Sequence, residues 1–150
     1  MTPANAITRF AGEYSFLSNF HPSPVEWMGF KVETVEHAFQ LAKTLDREAR
    51  RAIAQASTPA KAKRLGRDVQ LRPGWEESKS ALMGALLVQK FTRHLDLAQA
   101  LLSTGQVELV EGNDWGDTFW GVCGGRGRNQ LGHQLMEVRT LLRSLAGSDH

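Results

Sequence analysis

The sequence predicts a mainly α-helical α+β domain with a few short strands. Three features predict it. Helix-period apolar patterns fill most of residues 34–102 and return over about 129–145. Strand-like alternation is confined to residues 26–33 and 106–112. The two kinds of element do not follow the β–α–β succession of a doubly wound dinucleotide-binding sheet. A length of 150 residues suits one compact domain spanning residues 1–150, with its core over about 7–146 and flexible ends.

Each element has a local reason. The first 30 residues mix Phe10, Tyr14, Phe16, Phe20, Trp27 and Phe30 with Gly12, Asn19, Pro22, Pro24 and Gly29, a composition for short strands and irregular loops. Residues 26–33 read as a hairpin turning near Met28 and Gly29. Thr34 is placed to cap a helix through VEHAFQLAKTL. Residues 46–56 continue helically. Ser57 or Thr58, ahead of Pro59, opens a further helix to Leu65, because proline in a first turn loses no hydrogen bond. Gly66 is expected to end it. Residues 73–93 form the longest helix, with Leu82, Leu86, Val88 and Phe91 among its buried positions. Asp96 can cap a short helix through Leu102. Residues 106–112 alternate as a strand, and residues 113–128 form a loop crowded with Gly, Trp and Asp. The last helix turns Leu131, Leu135, Val138, Leu142 and Leu145 inward.

Composition narrows the function classes. Apolar residues make up 41% and charged residues 23%, as in a folded globular domain. Lys and Arg exceed Asp and Glu by 18 to 16, too little for a nucleic-acid coat or an anionic membrane surface, although a local basic patch is compatible. Cys123 is the only cysteine, so neither an intrachain disulfide nor a cysteine zinc site can form. MTPANAITRF lacks the pattern of a secretory leader, and no apolar run approaches the roughly 20 residues that span a bilayer. The cytoplasm is the expected compartment. His21, His94, His133 and His150 have no metal-ligand spacing, so neither a metal nor a cofactor is expected.

Four segments can carry chemistry. On the helix after Thr34, Glu36, Gln40 and Lys43 fall within an arc of roughly 60°, while Val35, Ala38, Phe39, Ala42 and Leu45 cover the rest. A narrow strip with a carboxylate, an amide and an amine is either a pocket wall or an ordinary exposed i,i+7 strip. In NDWGDTFWG (113–121), loop carboxylates beside indoles can hold a sugar or base, or Trp115 and Trp120 can plug the core. GGRGRNQLG (124–132) sets Arg126 and Arg128 before a helix N-terminus, a phosphate cradle or a common glycine turn; it lacks the Gly-Lys-Ser/Thr of a nucleotide loop. In GEYSFLSNF (12–20), Tyr14 and Asn19 either line a pocket or belong to the core. His37 is rotated about 100° from the strip and reads as structural. Cys123 has no readable histidine partner, and KAKRLGRD (61–68) reads as a solvated face from which Arg67 can reach an anion.

Taken together, FAGEYSFLSNF (10–20), TVEHAFQLAK (34–43), the LGRD…W region (65–75), NDWGDTFWGV (113–122) and GRNQLGHQLMEVR (127–139) resemble the NADAR, or YbiA-like, family. They occur in family order across nearly the whole chain. The resemblance implies a compact, mainly helical α+β fold. It implies an N-glycosidase that splits a base from a ribosyl group. Some members act on phosphorylated riboflavin-pathway intermediates, and others remove ADP-ribose from guanine, including guanine in nucleic acid. Glu36 matches the family's essential glutamate, Lys43 the lysine of the Q-x-x-K part, and Trp115 and Asp117 the W-G-D motif. Trp75 matches an aromatic after the LGR segment, and Asn129 and Gly132 match the glycine-rich turn into the last helix. After W-G-D this chain runs TFWGVCGG without a long insertion, which bears on the base that fits.

The roles expected on this basis are catalytic for Glu36, Lys43 and Asp117. Substrate contact is expected from Tyr14, Asn19, Gln40, Arg67, Trp75, Asn113, Trp115, Arg126, Arg128 and Asn129. Glu36 would stabilise an oxocarbenium-like sugar or activate water, and Asp117 would orient ribose hydroxyls or share the acid–base work. Lys43 would hold an anion when charged, or attack the opened sugar when neutral. The partners expected are a ribosylated or ADP-ribosylated small molecule, or ADP-ribosylated nucleic acid, and no membrane. A binding module for NAD- or ADP-ribose-type nucleotides is the non-enzyme alternative; it needs the glycine turn and the aromatics but not Glu36 together with Lys43. An interaction protein with all its aromatics in the core is a third.

Overall fold

The structure, a computed structural model, describes residues 6–147. The flexibility expected of the ends falls chiefly on residues outside that range. In chain order the elements are β1 (Ala6–Ile7), a 3-10 helix (Gly12–Leu17), β2 (Val25–Trp27), β3 (Phe30–Val32), α1 (Val35–Leu41), α2 (Arg47–Ala54), α3 (Pro59–Gly66), α4 (Trp75–Arg93), α5 (Leu95–Ser103), β4 (Glu108–Leu109) and α6 (Gln130–Gly147). The fold is therefore mainly helical α+β, as expected, and the sheets described have two strands each. No described helix is long and apolar enough to cross a membrane. The chain clusters into two compact units, one of residues 19–90 and one that joins the chain up to Ser18 to the chain from Phe91.

In the unit of residues 19–90, β2 and β3 pair antiparallel with Val25 opposite Val32 and Trp27 opposite Phe30. Met28 (φ 51°) and Gly29 (φ 83°) are both left-handed, as a two-residue hairpin turn of this twist requires. Thr34 and Thr58 cap as expected and Asp46 caps as well: each accepts the backbone N–H three residues on, and Pro59 opens α3. A cap of this kind stabilises a helix by about 1 kcal/mol. α1 packs against α2 and α3, and Leu41, Ile53, Leu86 and Leu87 are fully buried in this unit.

Several boundaries differ from expectation. α1 stops at Leu41, so Lys43 follows the helix instead of riding its third turn. Leu45 is 63% exposed, and α2 is a new helix capped by Asp46, not a continuation. Gly66 is the last residue of α3 but has no left-handed backbone, so it is not a glycine terminator. Val88 is half-buried.

In the other unit, β1 and β4 run parallel with Ile7 opposite Leu109. α6 packs on β4 and α5 and buries Leu131, Leu135, Val138 and Leu142. Leu145, expected inside, is 51% exposed one turn from the chain's described end. Arg139 is buried, and its guanidinium donates to Thr104 Oγ1 and to the Val107 carbonyl, both at 2.8 Å. It thereby ties α6 to the turn after α5. Asp96 lies in the first turn of α5, where a negative charge favours the helix dipole, while His94 occupies the cap position. Residues 12–17, expected within a stretch of short strands and irregular loops, form the 3-10 helix and hold Tyr14 half-buried.

Candidate active site

α1 fixes its glutamate from both sides of the backbone. Thr34 Oγ1 accepts the His37 N–H at 3.1 Å, and the Glu36 N–H donates to the Asn19 carbonyl at 3.1 Å. His37 is buried, with Nε2 2.9 Å from the Ala56 carbonyl and Nδ1 2.8 Å from Thr34 Oγ1. A carbonyl can only accept, so Nε2 carries the proton and Nδ1 accepts the threonine hydroxyl. With both ring nitrogens spent, His37 braces α1 against the turn after α2, in line with its structural reading.

Every residue of α1 is buried, so its polar strip is no solvated face. Glu36 is 7% exposed and Gln40 4%. Gln40 Nε2 donates to Glu36 Oε1 at 3.1 Å. Burial pushes the Glu36 pKa up; the Gln40 hydrogen bond and then the positive charges of Lys63 and Lys43 oppose that push. Gln40 Oε1, by contrast, has no hydrogen-bond partner.

Lys43 is half-buried just past α1, its N–H on the Gln40 carbonyl at 3.2 Å. Its Nζ lies 5.9 Å from the centre of the Phe39 ring. Burial lowers its pKa, Glu36 opposes the shift, and the positive charges of Lys63, Lys79 and Arg67 add to it. Its carbonyl accepts the Arg72 N–H at 2.7 Å, which brings the segment before α4 alongside. Phe39 and Trp75 meet at 5.1 Å between ring centres, and Arg72 lies 5.6 Å over the Trp75 ring. Trp75 is only 4% exposed, so it forms wall instead of an open stacking platform. Asn19 gives its carbonyl to Glu36; its Nδ2 lies 3.5 Å from Met83 Sδ, and its Oδ1 is buried without a partner. Lys63, Lys79 and Arg72 were not among the residues singled out in the sequence. The half-burial of Lys63 between exposed Lys61 and Arg64 depends on α3 packing against α1, which local pattern does not encode. Two clefts of about 540 and 560 Å³ open beside Ile53 and beside His37, and neither is lined by Glu36 or Lys43; the titratable chemistry marks this site.

The other unit carries the tryptophan loop. Asn113 is its hub: Oδ1 accepts the N–H groups of Trp115 (3.3 Å) and Asp117 (3.0 Å), and Nδ2 donates to the Asp117 (2.8 Å) and Val122 (3.3 Å) carbonyls. Asp117 Oδ1 accepts the N–H groups of Phe119 and Trp120 at 3.1 and 2.9 Å. The loop is thus rigidly held by its own polar side chains. Trp115 is 63% exposed, so the core-plug alternative fails for it. Arg126 and Arg128 are exposed, and Arg128 lies 5.5 Å over the Phe119 ring. Cys123 is a half-buried free thiol. Among the described residues no group of three or more His, Cys, Asp or Glu is placed to hold a metal.

Asn129, expected to touch substrate, is spent on the fold. It is 5% exposed at φ 51°; Oδ1 accepts the Glu111 N–H at 3.0 Å and Nδ2 donates to the Leu109 carbonyl at 2.9 Å. Gly132 completes the junction, since a Cβ there would fall 2.1 Å from the Leu109 carbonyl oxygen. Asn129→Ala should destabilise by about 2–3 kcal/mol, because one buried and one part-buried backbone group lose partners and the left-handed backbone loses a tolerant residue. Urea unfolding measures this; an unchanged midpoint would contradict the structural part given to Asn129.

The structure thus brings Glu36, Gln40 and Lys43 together in residues 19–90, with Asn19, Trp75 and the charge of Arg67 in the same unit. Asn113, Trp115, Asp117, Arg126, Arg128 and Asn129 belong to the other unit, as does Tyr14. The NADAR domain model matches residues 8–143. The chain is 41% identical over 133 residues to the N-glycosidase YbiA of Escherichia coli K12, covering 87% of this chain and 82% of that one. It is 39% identical over 139 residues to an N-glycosidase of Nostoc punctiforme, with 88% of each chain covered. A riboflavin biosynthesis protein of Vibrio vulnificus is 36% identical over 136 residues, 89% of this chain but 37% of that protein. The solution structure of E. coli YbiA superposes with a TM-score of 0.84 at 37% identity, covering all of this chain and 90% of that one. The chain is an enzyme of the N-glycosidase class, and it belongs to the NADAR domain family.

Proposed function

We propose that this enzyme hydrolyses the bond between a base and C1′ of a phosphorylated ribosyl group, with Glu36 and Lys43 as its catalytic pair. The observation that carries the reading is the buried Glu36 carboxyl, held by Gln40 near a half-buried amine of lowered pKa. A lysine so tuned is more often neutral, and a neutral amine is a nucleophile. Its nitrogen adds to C1′ as the C1′–N bond breaks. The bonding pair leaves with the base, which takes up the proton lost by the attacking nitrogen. Ionised Glu36 stabilises the positive charge that develops at C1′. The sugar then opens to an imine on Lys43, and water activated by Glu36 hydrolyses it, freeing the sugar and restoring the amine.

The cations around this pair favour an anionic substrate. Lys63, Arg67 and Lys79 all bear on Lys43. In the other unit, Trp115 has an exposed ring of the kind that can stack on a planar group, and Asp117 shapes its loop. Two base classes fit: the aminopyrimidine of a riboflavin-pathway phosphoriboside, supported by the name of the Vibrio relative, and ADP-ribosylated guanine as nucleoside or in nucleic acid. Purified enzyme incubated with each, and with ADP-ribose alone, should release free base from at least one glycoside, read by chromatography. Tight binding of ADP-ribose with no base released from either would overturn the reading in favour of a nucleotide-binding module.

A further inference from the structure

We propose that Gly66, at the end of α3, is a positioning residue of this site: its lack of a side chain makes the room in which the Gln40 carboxamide is held with its N–H on Glu36. The inference rests on the reading of Glu36 as the working carboxylate.

Gly66 is buried, and its backbone conformation is one that any residue adopts. The residue after it, Arg67, is also helical in φ and ψ (−68°, −26°), so no turn requires glycine here. Alanine would favour the helix. The reason for glycine lies across the packed α1–α3 contact. A Cβ on Gly66 would fall 1.9 Å from Gln40 Oε1, 2.8 Å from its Cδ and 3.1 Å from its Cβ. The first two separations are impossible contacts, so the whole carboxamide would have to move. In the structure its oxygen lies against Gly66 without a hydrogen-bond partner, while the other end of the same planar group, Nε2, reaches Glu36 Oε1 at 3.1 Å. Gln40 is 4% exposed, so the amide has little open space into which to swing. Gly66 thus sets the position of the donor, and the donor favours the ionised form of the carboxyl it touches.

The test is the titration of Glu36, followed through its ¹³C carboxyl resonance and assigned by its disappearance in Glu36→Gln. Gly66→Ala should move the midpoint up by about one pH unit, the scale of one lost hydrogen bond to a charged group. Gln40→Ala should move it equally, and adding Gly66→Ala to Gln40→Ala should move it no further. The acid limb of kcat/KM should rise by the same amount in each variant. A wild-type Glu36 midpoint in Gly66→Ala, or additive shifts in the double variant, would overturn the proposal. If Gly66→Ala alone does not fold, the double variant decides: a Tm close to that of Gln40→Ala is expected, and a double variant as unstable as Gly66→Ala would overturn it. Full turnover by Glu36→Gln would instead defeat the catalytic reading, and the resonance titration would still read the positioning.

Discussion

Glu36→Gln should abolish turnover and at the same time make the protein more stable at neutral pH. The loss should be about 10³-fold in kcat, the scale of removing a general base that also stabilises developing charge. The amide is isosteric and can still accept from Gln40 Nε2, so the fold has no reason to change. The stability effect follows from linkage. Burial raises the Glu36 pKa in the folded state above that of the unfolded chain. The folded state therefore holds its proton more tightly, and its advantage is complete below the unfolded pKa and lost as pH rises through the folded one. Above that window the buried charge works against folding, and a neutral glutamine removes the cost. Calorimetry at pH 7 should show a higher Tm for the variant, and the difference should vanish at low pH. An active variant would refute the catalytic role, and a lower Tm at pH 7 would refute the buried charge.

Lys43→Arg should lose about 10²–10³-fold in kcat/KM although the positive charge is kept. Arginine stays protonated and has no nucleophilic nitrogen, so only an anion-holding role would survive the exchange. Steady-state kinetics on whichever glycoside the enzyme cleaves measures it. Near-wild-type turnover would return Lys43 to holding phosphate. The lowered pKa of Lys43 gives a companion expectation. As pH rises through the folded-state pKa the amine becomes neutral and active, whereas Glu36 must be ionised, so activity should climb with pH on the acid side on both counts.

The local code for the scaffold was legible. Thr34, Thr58 with Pro59, Met28 with Gly29, and the Leu131–Leu135–Val138–Leu142 stripe all act as their residue types dictate. Helix lengths were less so. α1 ends two residues before Lys43 although its apolar period continues, because the chain there turns its carbonyl to the Arg72 N–H, a partner some thirty positions on. The polar strip of Glu36, Gln40 and Lys43 was visible as a strip, but its burial was not: it depends on how β2, β3, α2 and α3 pack on α1, which local pattern does not encode. Asn129 shows the converse. It sits in a segment that looks built for substrate, yet both ends of its amide satisfy backbone groups near β4. Trp75 likewise reads as an aromatic for stacking, and the fold uses its ring against Phe39 and Arg72. Gly66 is the clearest case. A glycine after a helical run reads as a stop, and only the approach of α1 to α3 reveals that it accommodates a side chain of the site.

Glu36 and the amine of Lys43 are proposed to act directly on C1′ of the ribosyl group. Borohydride added during turnover, followed by proteolysis and mass spectrometry, tests it most directly. A reduced ribosyl adduct is expected on the peptide containing Lys43, formed in wild type and missing in Glu36→Gln. An enzyme that turns over fully with no adduct, or with the adduct on another lysine, would contradict it.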